Sequence, residues 1–167
     1  MLRNNQVPRK TRSSLPVVVG VALALIASGV AQAADAWLGT WKLNVAKSSY
    51  NPGPAPRSGT SRFEMASDGR VKVISDGVDA AGRSTHNEIV TLFDGKPIEL
   101  KGTDPPVTLA FSRIDDRRYE LVARVNGKVA ATSSGSIAAD GKTRTLVTRS
   151  IAANGQWVTS TAVYDRQ

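Results

Sequence analysis

Apolar and polar residues alternate with a period of two along most of the chain after residue 38. The alternation is clearest in three segments, which are 106–114, 117–125 and 156–165. A period of two is typical of β-strands that bury one face. We find no helical periodicity longer than a turn or two in this part of the chain. The pattern therefore predicts an all-β domain.

Turn signals separate these alternating segments. Asp-Gly and Asn-Gly pairs recur at 68–69, 76–77, 94–95, 126–127, 140–141 and 154–155. Such pairs tolerate the positive φ angles that tight hairpin turns require. The predicted strands are 38–45, 60–67, 70–76, 83–93, 97–101, 106–114, 117–125, 128–138, 143–152 and 156–165. Their short sequential connections predict an antiparallel up-and-down meander.

A meander of this length is expected to close on itself. An open sheet leaves two bare edges, and closure removes them. We therefore expect a β-barrel of about eight to ten strands. A two-sheet sandwich is the alternative, but it needs long crossing connections, and only segment 46–59 offers one. Its proline-rich part, 51–56, predicts an extended loop that lies over one end of the barrel or forms a plain surface connection.

The first 33 residues have the pattern of a secretory signal. Basic residues between Arg3 and Arg12 precede an apolar run over 15–30, and Ala31-Gln32-Ala33 follows. This order predicts a signal helix over 1–33, with cleavage after Ala33. An uncleaved anchor is the alternative, although the run is shorter than the ~20 residues of a spanning helix. We expect one barrel domain over 34–167, in a periplasmic or secreted protein.

Composition excludes several kinds of site. The chain has no Cys and one His, which excludes disulfides, thiolate metal sites, a Cys nucleophile and clusters of His ligands. Beyond residue 33, 18 basic residues face 14 acidic ones, and this net charge of +4 is too diffuse to indicate nucleic-acid binding. We expect no metal, no cofactor and no nucleic-acid partner.

Candidate catalytic groups have simpler interpretations. His86 shares a strand face with Ser84 and Glu88, and no Gly-x-Ser-x-Gly elbow accompanies it. Haem ligation by this His is a further alternative. The acidic pairs at 76/79 and 115/116 lie at predicted turns, where Asp accepts local backbone hydrogen bonds. We therefore do not expect an enzyme.

Basic residues cluster on two hairpins. Arg113, Arg117, Arg118 and Arg124 surround one, and Lys142, Arg144 and Arg149 lie on another. These residues predict a solvated outer face. A surface for an anionic lipid or polysaccharide is the alternative.

Both ends of the domain resemble a known superfamily. The opening Leu38-Gly39-Thr40-Trp41-Lys42-Leu43 and the closing Val163-Tyr164-Asp165 resemble the calycins, which comprise lipocalins, fatty-acid-binding proteins and their relatives. The resemblance implies a barrel with one small ligand, a buried Trp41 that plugs the closed end, and Arg166 packed over that Trp. We expect Trp37 to be more exposed.

The resemblance also bears on the ligand. Fatty-acid-binding proteins carry an Arg-x-Tyr pair on the last strand that clamps a carboxylate, and the matching residues here are Ala162 and Tyr164. With that Arg missing, we expect a neutral or weakly polar ligand. The candidate ligand-binding residues are Trp41, Tyr119, Trp157 and Tyr164. Trp157 and Tyr164 occupy opposite strand faces, so only one of them points inward.

Small residues on the predicted strand 128–138 suggest a hollow interior. Val129, Ala131, Ser133, Gly135 and Ile137 share the expected inner face. Such a lining leaves room for a cavity, or else permits a narrow and closely packed barrel. The resulting hypothesis is a monomeric, secreted or periplasmic protein that binds a small, partly apolar molecule. Membrane contact is expected only through an uncleaved signal. The alternative is an envelope interaction or inhibitor module without a small ligand.

Overall fold

A computed structural model describes residues 35–167, which form ten β-strands and one short 3-10 helix. The strands are β1 (Gly39–Leu43), β2 (Ser58–Met65), β3 (Val71–Val78), β4 (Ser84–Thr91), β5 (Asp94–Glu99), β6 (Val107–Asp115), β7 (Arg118–Val125), β8 (Lys128–Ile137), β9 (Thr143–Ile151) and β10 (Trp157–Arg166). The 3-10 helix, Val45–Lys47, follows β1. The predicted signal over 1–33 lies outside the described residues.

The strands form one antiparallel sheet that is nearly closed into a barrel. Its order is β4-β3-β2-β1-β10-β9-β8-β7-β6-β5, so the first strand pairs with the last. The sheet ends at β4 and β5, which follow one another in the chain but are not hydrogen-bonded to each other. The predicted all-β meander and barrel are confirmed, and the sandwich alternative is wrong.

Of two turns predicted from Asn-Gly and Asp-Gly pairs, one is present in the structure and the other is not. Asn126 and Gly127 both have positive φ, 49° and 73°, as the tight turn between β7 and β8 requires. The turn predicted at Asp76-Gly77 is wrong, because both residues lie within β3. A Cβ at Gly77 would lie 2.8 Å from the carbonyl oxygen of Ser58, so glycine there permits close approach of β2.

Aromatic residues fill the closed end of the barrel. Trp41 is fully buried, and its indole N–H donates to the Trp37 carbonyl at 2.9 Å. The Arg166 guanidinium lies 4.6 Å from the centre of the Trp41 ring. Both the buried Trp41 and the Arg that packs over it are confirmed.

The expectation of an exposed Trp37 is wrong. Its side chain is only 3% exposed. A turn in which the Leu38 N–H donates to the Asp35 carbonyl folds this segment under the barrel. The Trp37 ring then packs edge-on against Tyr119, with ring centres 4.6 Å apart.

The proline-rich connection lies along the barrel wall. Ser49 forms a β-bridge with Thr161, and the Asn51 N–H donates to the Ser160 hydroxyl at 3.0 Å. Segment 48–51 therefore extends the sheet beside β10, above the short strand β1. The connection then continues past the open end of the barrel, which we call the mouth, where Tyr50 and Pro56 lie beside a cavity.

Candidate functional site

An interior cavity of about 280 Å³ lies above the aromatic floor. One wall is polar, with Ser61, Ser75 and Asn87 in register across β2, β3 and β4. The opposite wall is apolar and is formed by Leu109, Leu121 and Leu146. Period-two alternation places these side chains inside, since each alternates with outward-facing neighbours. The interior is therefore hollow above the floor and has two chemically distinct sides.

Arg144, on β9, points into this cavity. It is 2% exposed, and its guanidinium carbon lies 4.0 Å from the centre of the Tyr164 ring and 5.1 Å from that of Phe63. Its Nε and Nη2 atoms have no hydrogen-bond partner within residues 35–167. Burying a charged group whose N–H donors are incompletely hydrogen-bonded is unfavourable. The arrangement therefore suits a negatively charged group inside the cavity.

Two tyrosines flank Arg144. Tyr164 lies directly opposite it in the β9–β10 register, and Tyr119, on β7, is 3% exposed. Burial raises the pKa of the Tyr119 phenol, the positive charge of Arg144 opposes that increase, and the nearby Tyr164 adds to it. Tyr119 therefore stays protonated at neutral pH and keeps its hydrogen-bond donor.

Gly135 makes room for Tyr119. The two residues are paired across β7 and β8, and a Cβ at Gly135 would overlap the Tyr119 ring. Tyr119 therefore lies flat against the β8 backbone and forms part of the cavity floor. The small residues predicted on β8 serve this close approach as well as the cavity.

The sequence analysis predicted that Arg144 lies on a solvated outer face, and for this residue the prediction is wrong. Residues of β9 alternate, so that Val147 and Arg149 face outward while Arg144 and Leu146 face inward. The premise that the interior lacks a cation is therefore also wrong. Ala162 does face inward, where it is buried opposite Leu146.

The four residues predicted to bind ligand occupy three different places. Tyr119 and Tyr164 line the cavity. Trp41 lies beneath it in the floor. Trp157 is on the outer wall and 45% exposed, so of the two alternatives for the last strand it is Tyr164 that points inward. Because Tyr164 faces inward, Trp157, seven residues before it on β10, faces outward.

Val129 also lies outside, contrary to the prediction for β8. A register shift between Ala123 and Arg124 pairs Val129 with Arg124, whose side chain faces outward. A bulge of this kind inserts one residue and reverses the alternation beyond it. Val129 is accordingly 38% exposed.

A second cavity, of about 230 Å³, lies at the mouth. Tyr50, Leu43 and Pro56 line it, and it shares Ser61, Ser75, Asn87 and Tyr164 with the inner cavity. Burial raises the pKa of Tyr50, and the adjacent Tyr164 raises it further. A hydrogen bond with Ser48 lowers this pKa and partly offsets the increase. The shared lining places the mouth cavity next to the Arg144 site.

The remaining candidate groups lie on the outside of the barrel. The His86 Nδ1 lies 2.6 Å from an Asp76 carboxylate oxygen, and both side chains are exposed. Asp79 and Asp115 accept backbone N–H groups within their turns, at 2.9 and 2.8 Å. These hydrogen bonds confirm the turn interpretation for both residues. Within the described part of the chain, no group of three or more His, Asp or Glu side chains is placed to hold a metal ion.

The fold matches solved structures, although the sequence matches neither a family model nor a curated protein. A Schistosoma mansoni fatty acid binding protein in complex with arachidonic acid superposes with a TM-score of 0.56, at 15% identity over 79% of this chain and 96% of that one. The chain has the calycin fold. Two further calycin structures agree with it. Zebrafish ileal bile acid-binding protein complexed with cholic acid gives 0.51, at 10% identity over 79% and 99% of the chains. As-p18, an extracellular fatty acid binding protein, gives 0.52, at 18% identity over 80% and 97%.

Among residues 35–167, no helix is long and apolar enough to cross a membrane.

Proposed function

We propose that this calycin barrel binds a small amphipathic molecule, with an apolar body and an anionic head group, in the cavity above Tyr119. The observation that carries the proposal is the buried Arg144, whose Nε and Nη2 lack partners within residues 35–167. This replaces the neutral ligand expected from the sequence, because that expectation depended on an interior without a cation.

The two unpartnered nitrogens favour a planar anion. Nε and Nη2 lie on the same edge of the guanidinium, and their N–H bonds run nearly parallel. A carboxylate accepts such a pair with both of its oxygens. The Tyr119 and Tyr164 hydroxyls beside Arg144 are further donors for the same head group.

The cavity walls indicate the rest of the ligand. The apolar wall of Leu109, Leu121 and Leu146 accommodates a hydrocarbon surface. A volume of about 280 Å³ is near the lower end for ligand pockets, and the adjoining mouth cavity gives a longer ligand room to extend. Two of the similar structures contain arachidonic acid and cholic acid, which both join an apolar body to a carboxylate. These comparisons support the proposal by fold analogy.

The proposed location is the periplasm or the exterior of the cell. The basic, apolar and small-residue order of residues 1–33 supports export. One of the similar structures, As-p18, is an extracellular protein. The proposal further includes that the protein acts as a monomer and that each barrel binds one ligand.

Displacement of a fluorescent fatty acid tests the proposal. A fatty acid is expected to bind about ten-fold or more tightly than the alcohol of equal chain length, since charged hydrogen bonds exceed neutral ones by that order. Native mass spectrometry of the exported protein is expected to show a co-purified anionic lipid or a related molecule. Equal affinity for the acid and the alcohol would contradict the proposed head-group site.

A further inference from the structure

Exposed apolar side chains gather on the outer wall of the barrel near the mouth. Trp157 and Ile151 lie opposite each other on β10 and β9, and each is 45% exposed. Val147, on β9, and Val129, on β8, are each 38% exposed. Large apolar residues grouped on a surface often mark an interaction site, and the charges around them indicate the kind of partner.

The cations within this group lack acidic partners. Arg149 lies between Thr132 and Thr159 in the register, with its guanidinium 5.7 Å from the Trp157 ring centre. Neither Arg149 nor Arg124, which is paired with Val129, forms an ion pair within residues 35–167. We call Arg124, Val129, Val147, Arg149, Ile151 and Trp157 the Trp157 patch.

Another part of the barrel wall has its cations paired with acids. On the outer face of β2–β4, Arg62 pairs with Glu64 and Lys72 pairs with Glu88, each at 2.8 Å. Beside the Trp157 patch the outward neighbours are mostly Thr and Ser. Two acids lie in register with the Trp157 patch, and each is two strands away: Glu120 from Val147, and Glu99 from Arg124. The patch is therefore both apolar and positively charged.

We propose that the Trp157 patch docks the barrel on an anionic lipid surface. Trp is well suited to a membrane interface, because its ring has an apolar body and a polar N–H. Arg side chains extend their apolar stems along such a surface while the charge meets lipid phosphates. The outside of a barrel is convex, and a bilayer surface adapts to that shape more readily than a preformed protein pocket does.

The position of the patch brings the mouth close to the membrane. The β9–β10 hairpin, 152–156, joins Ile151 to Trp157 and forms part of the mouth rim. Docking through these residues places the cavity entrance beside the lipid. The docking proposal rests on the outer wall alone and does not depend on what the interior binds.

Tryptophan fluorescence with vesicles provides the test. The chain has three Trp, and since Trp37 and Trp41 are buried, Trp157 is the one that reports on the surface. Vesicles of phosphatidylglycerol and phosphatidylcholine are expected to shift its emission to the blue and to sediment with the protein. Pure phosphatidylcholine vesicles, and anionic vesicles in high salt, are expected to bind much less.

A matched pair of double variants identifies the surface. Trp157→Ser/Arg149→Gln is expected to weaken co-sedimentation with anionic vesicles by about ten-fold or more. Leu92→Ser/Lys142→Gln removes one exposed apolar residue and one cation at the closed end and is expected to bind as the parent protein does. Every protein carries the same N-terminus, so any contribution from residues 1–33 is common to all. Circular dichroism and urea unfolding verify that each variant is folded.

Three results would overturn the proposal. The first is equal vesicle binding by the Trp157→Ser/Arg149→Gln variant and its control. The second is equal binding to neutral and anionic vesicles. The third is the absence of binding to anionic vesicles by the parent protein, and a crosslink from residue 157 to an envelope protein would then assign the patch to a protein partner.

Discussion

Replacing Arg144 by Met separates stability from ligand binding. Arg144 is buried with two nitrogens unpartnered within residues 35–167, and it lies over the Tyr164 ring at 4.0 Å. Met has a similar length and fills the space without a charge. The variant therefore removes the cation that we assign to the ligand head group while it largely preserves the packing around Phe63 and Tyr164.

The structure gives the expected magnitudes. Replacing buried charges by apolar residues of similar volume is often neutral or stabilising by about 1–4 kcal/mol. Loss of the cation–π contact opposes this by up to about 2 kcal/mol. We expect the free energy of unfolding of the ligand-free Arg144→Met protein to change by between about −2 and about +4 kcal/mol. Loss of a buried charged partner weakens fatty-acid binding by about 2–5 kcal/mol, or about 30-fold to several thousand-fold.

Urea unfolding and displacement of a fluorescent fatty acid measure the two quantities. Lys142→Met is the control, since Lys142 is an exposed cation two residues before Arg144. Its stability and its fatty-acid affinity are expected to stay within about 0.5 kcal/mol of the parent values. If Arg144→Met lost more than about 2 kcal/mol of stability and bound fatty acid normally, Arg144 would be a structural residue and the reasoning would be refuted.

Four further measurements test the fold and the export prediction. Trp41→Ala is expected to destabilise the barrel by about 3–5 kcal/mol in urea unfolding, and a loss below about 1 kcal/mol would mean that Trp41 is no plug. Gly135→Ala forces Tyr119 to move and is expected to cost about 1–3 kcal/mol, which Tyr119→Leu in the same chain should partly restore. Because the pKa of Tyr119 is raised on folding, stability is expected to fall as pH rises above about 10, and Tyr119→Phe should reduce that slope. N-terminal sequencing of the exported protein is expected to begin at Ala34, and finding Met1 would contradict the signal prediction.

Local patterns predicted the strands well, because alternation and turn chemistry act over a few residues. Every predicted strand overlaps a strand of the structure, with bounds that differ by a few positions. The incorrect predictions concern residues whose conformation or burial depends on contacts with residues far away in the sequence. Gly77 suggested a turn from its neighbour Asp76, yet it permits contact with Ser58, which is far away in sequence. Trp37 precedes the first strand, and nothing local indicates that it folds under the barrel.

The alternation itself misled in one place, where a bulge interrupts it. From Ala131 to Ile137, β8 follows the predicted inward face, but Val129, before the bulge, is paired with Arg124 and lies outside. No residue at this position marks the bulge, since Ala130 and Val129 are ordinary strand residues. The same register shift turns Val129 outward, where it forms part of the Trp157 patch. A surface feature therefore depends on a register shift that the sequence pattern does not reveal.

The sequence of the last strand alone does not reveal Arg144 as a carboxylate partner. The Arg-x-Tyr pair places its two side chains on one face of the last strand, and Ala162 interrupts that pattern here. In a sheet, however, the residue directly across the strand pair is as near as the residue two positions along, at about 4.5–5.5 Å between Cβ atoms. Tyr164 has Arg144 as that neighbour. An interior cation beside the last-strand Tyr can therefore come from β9 as readily as from β10. The signal in the sequence is the pairing of the 143–152 and 156–165 segments with three residues, 153–155, in the turn, because matching Ala152 with Gln156 places Arg144 opposite Tyr164. A two-residue Asn154-Gly155 turn would instead pair Arg144 with Asp165, so the turn length decides which neighbour Tyr164 has.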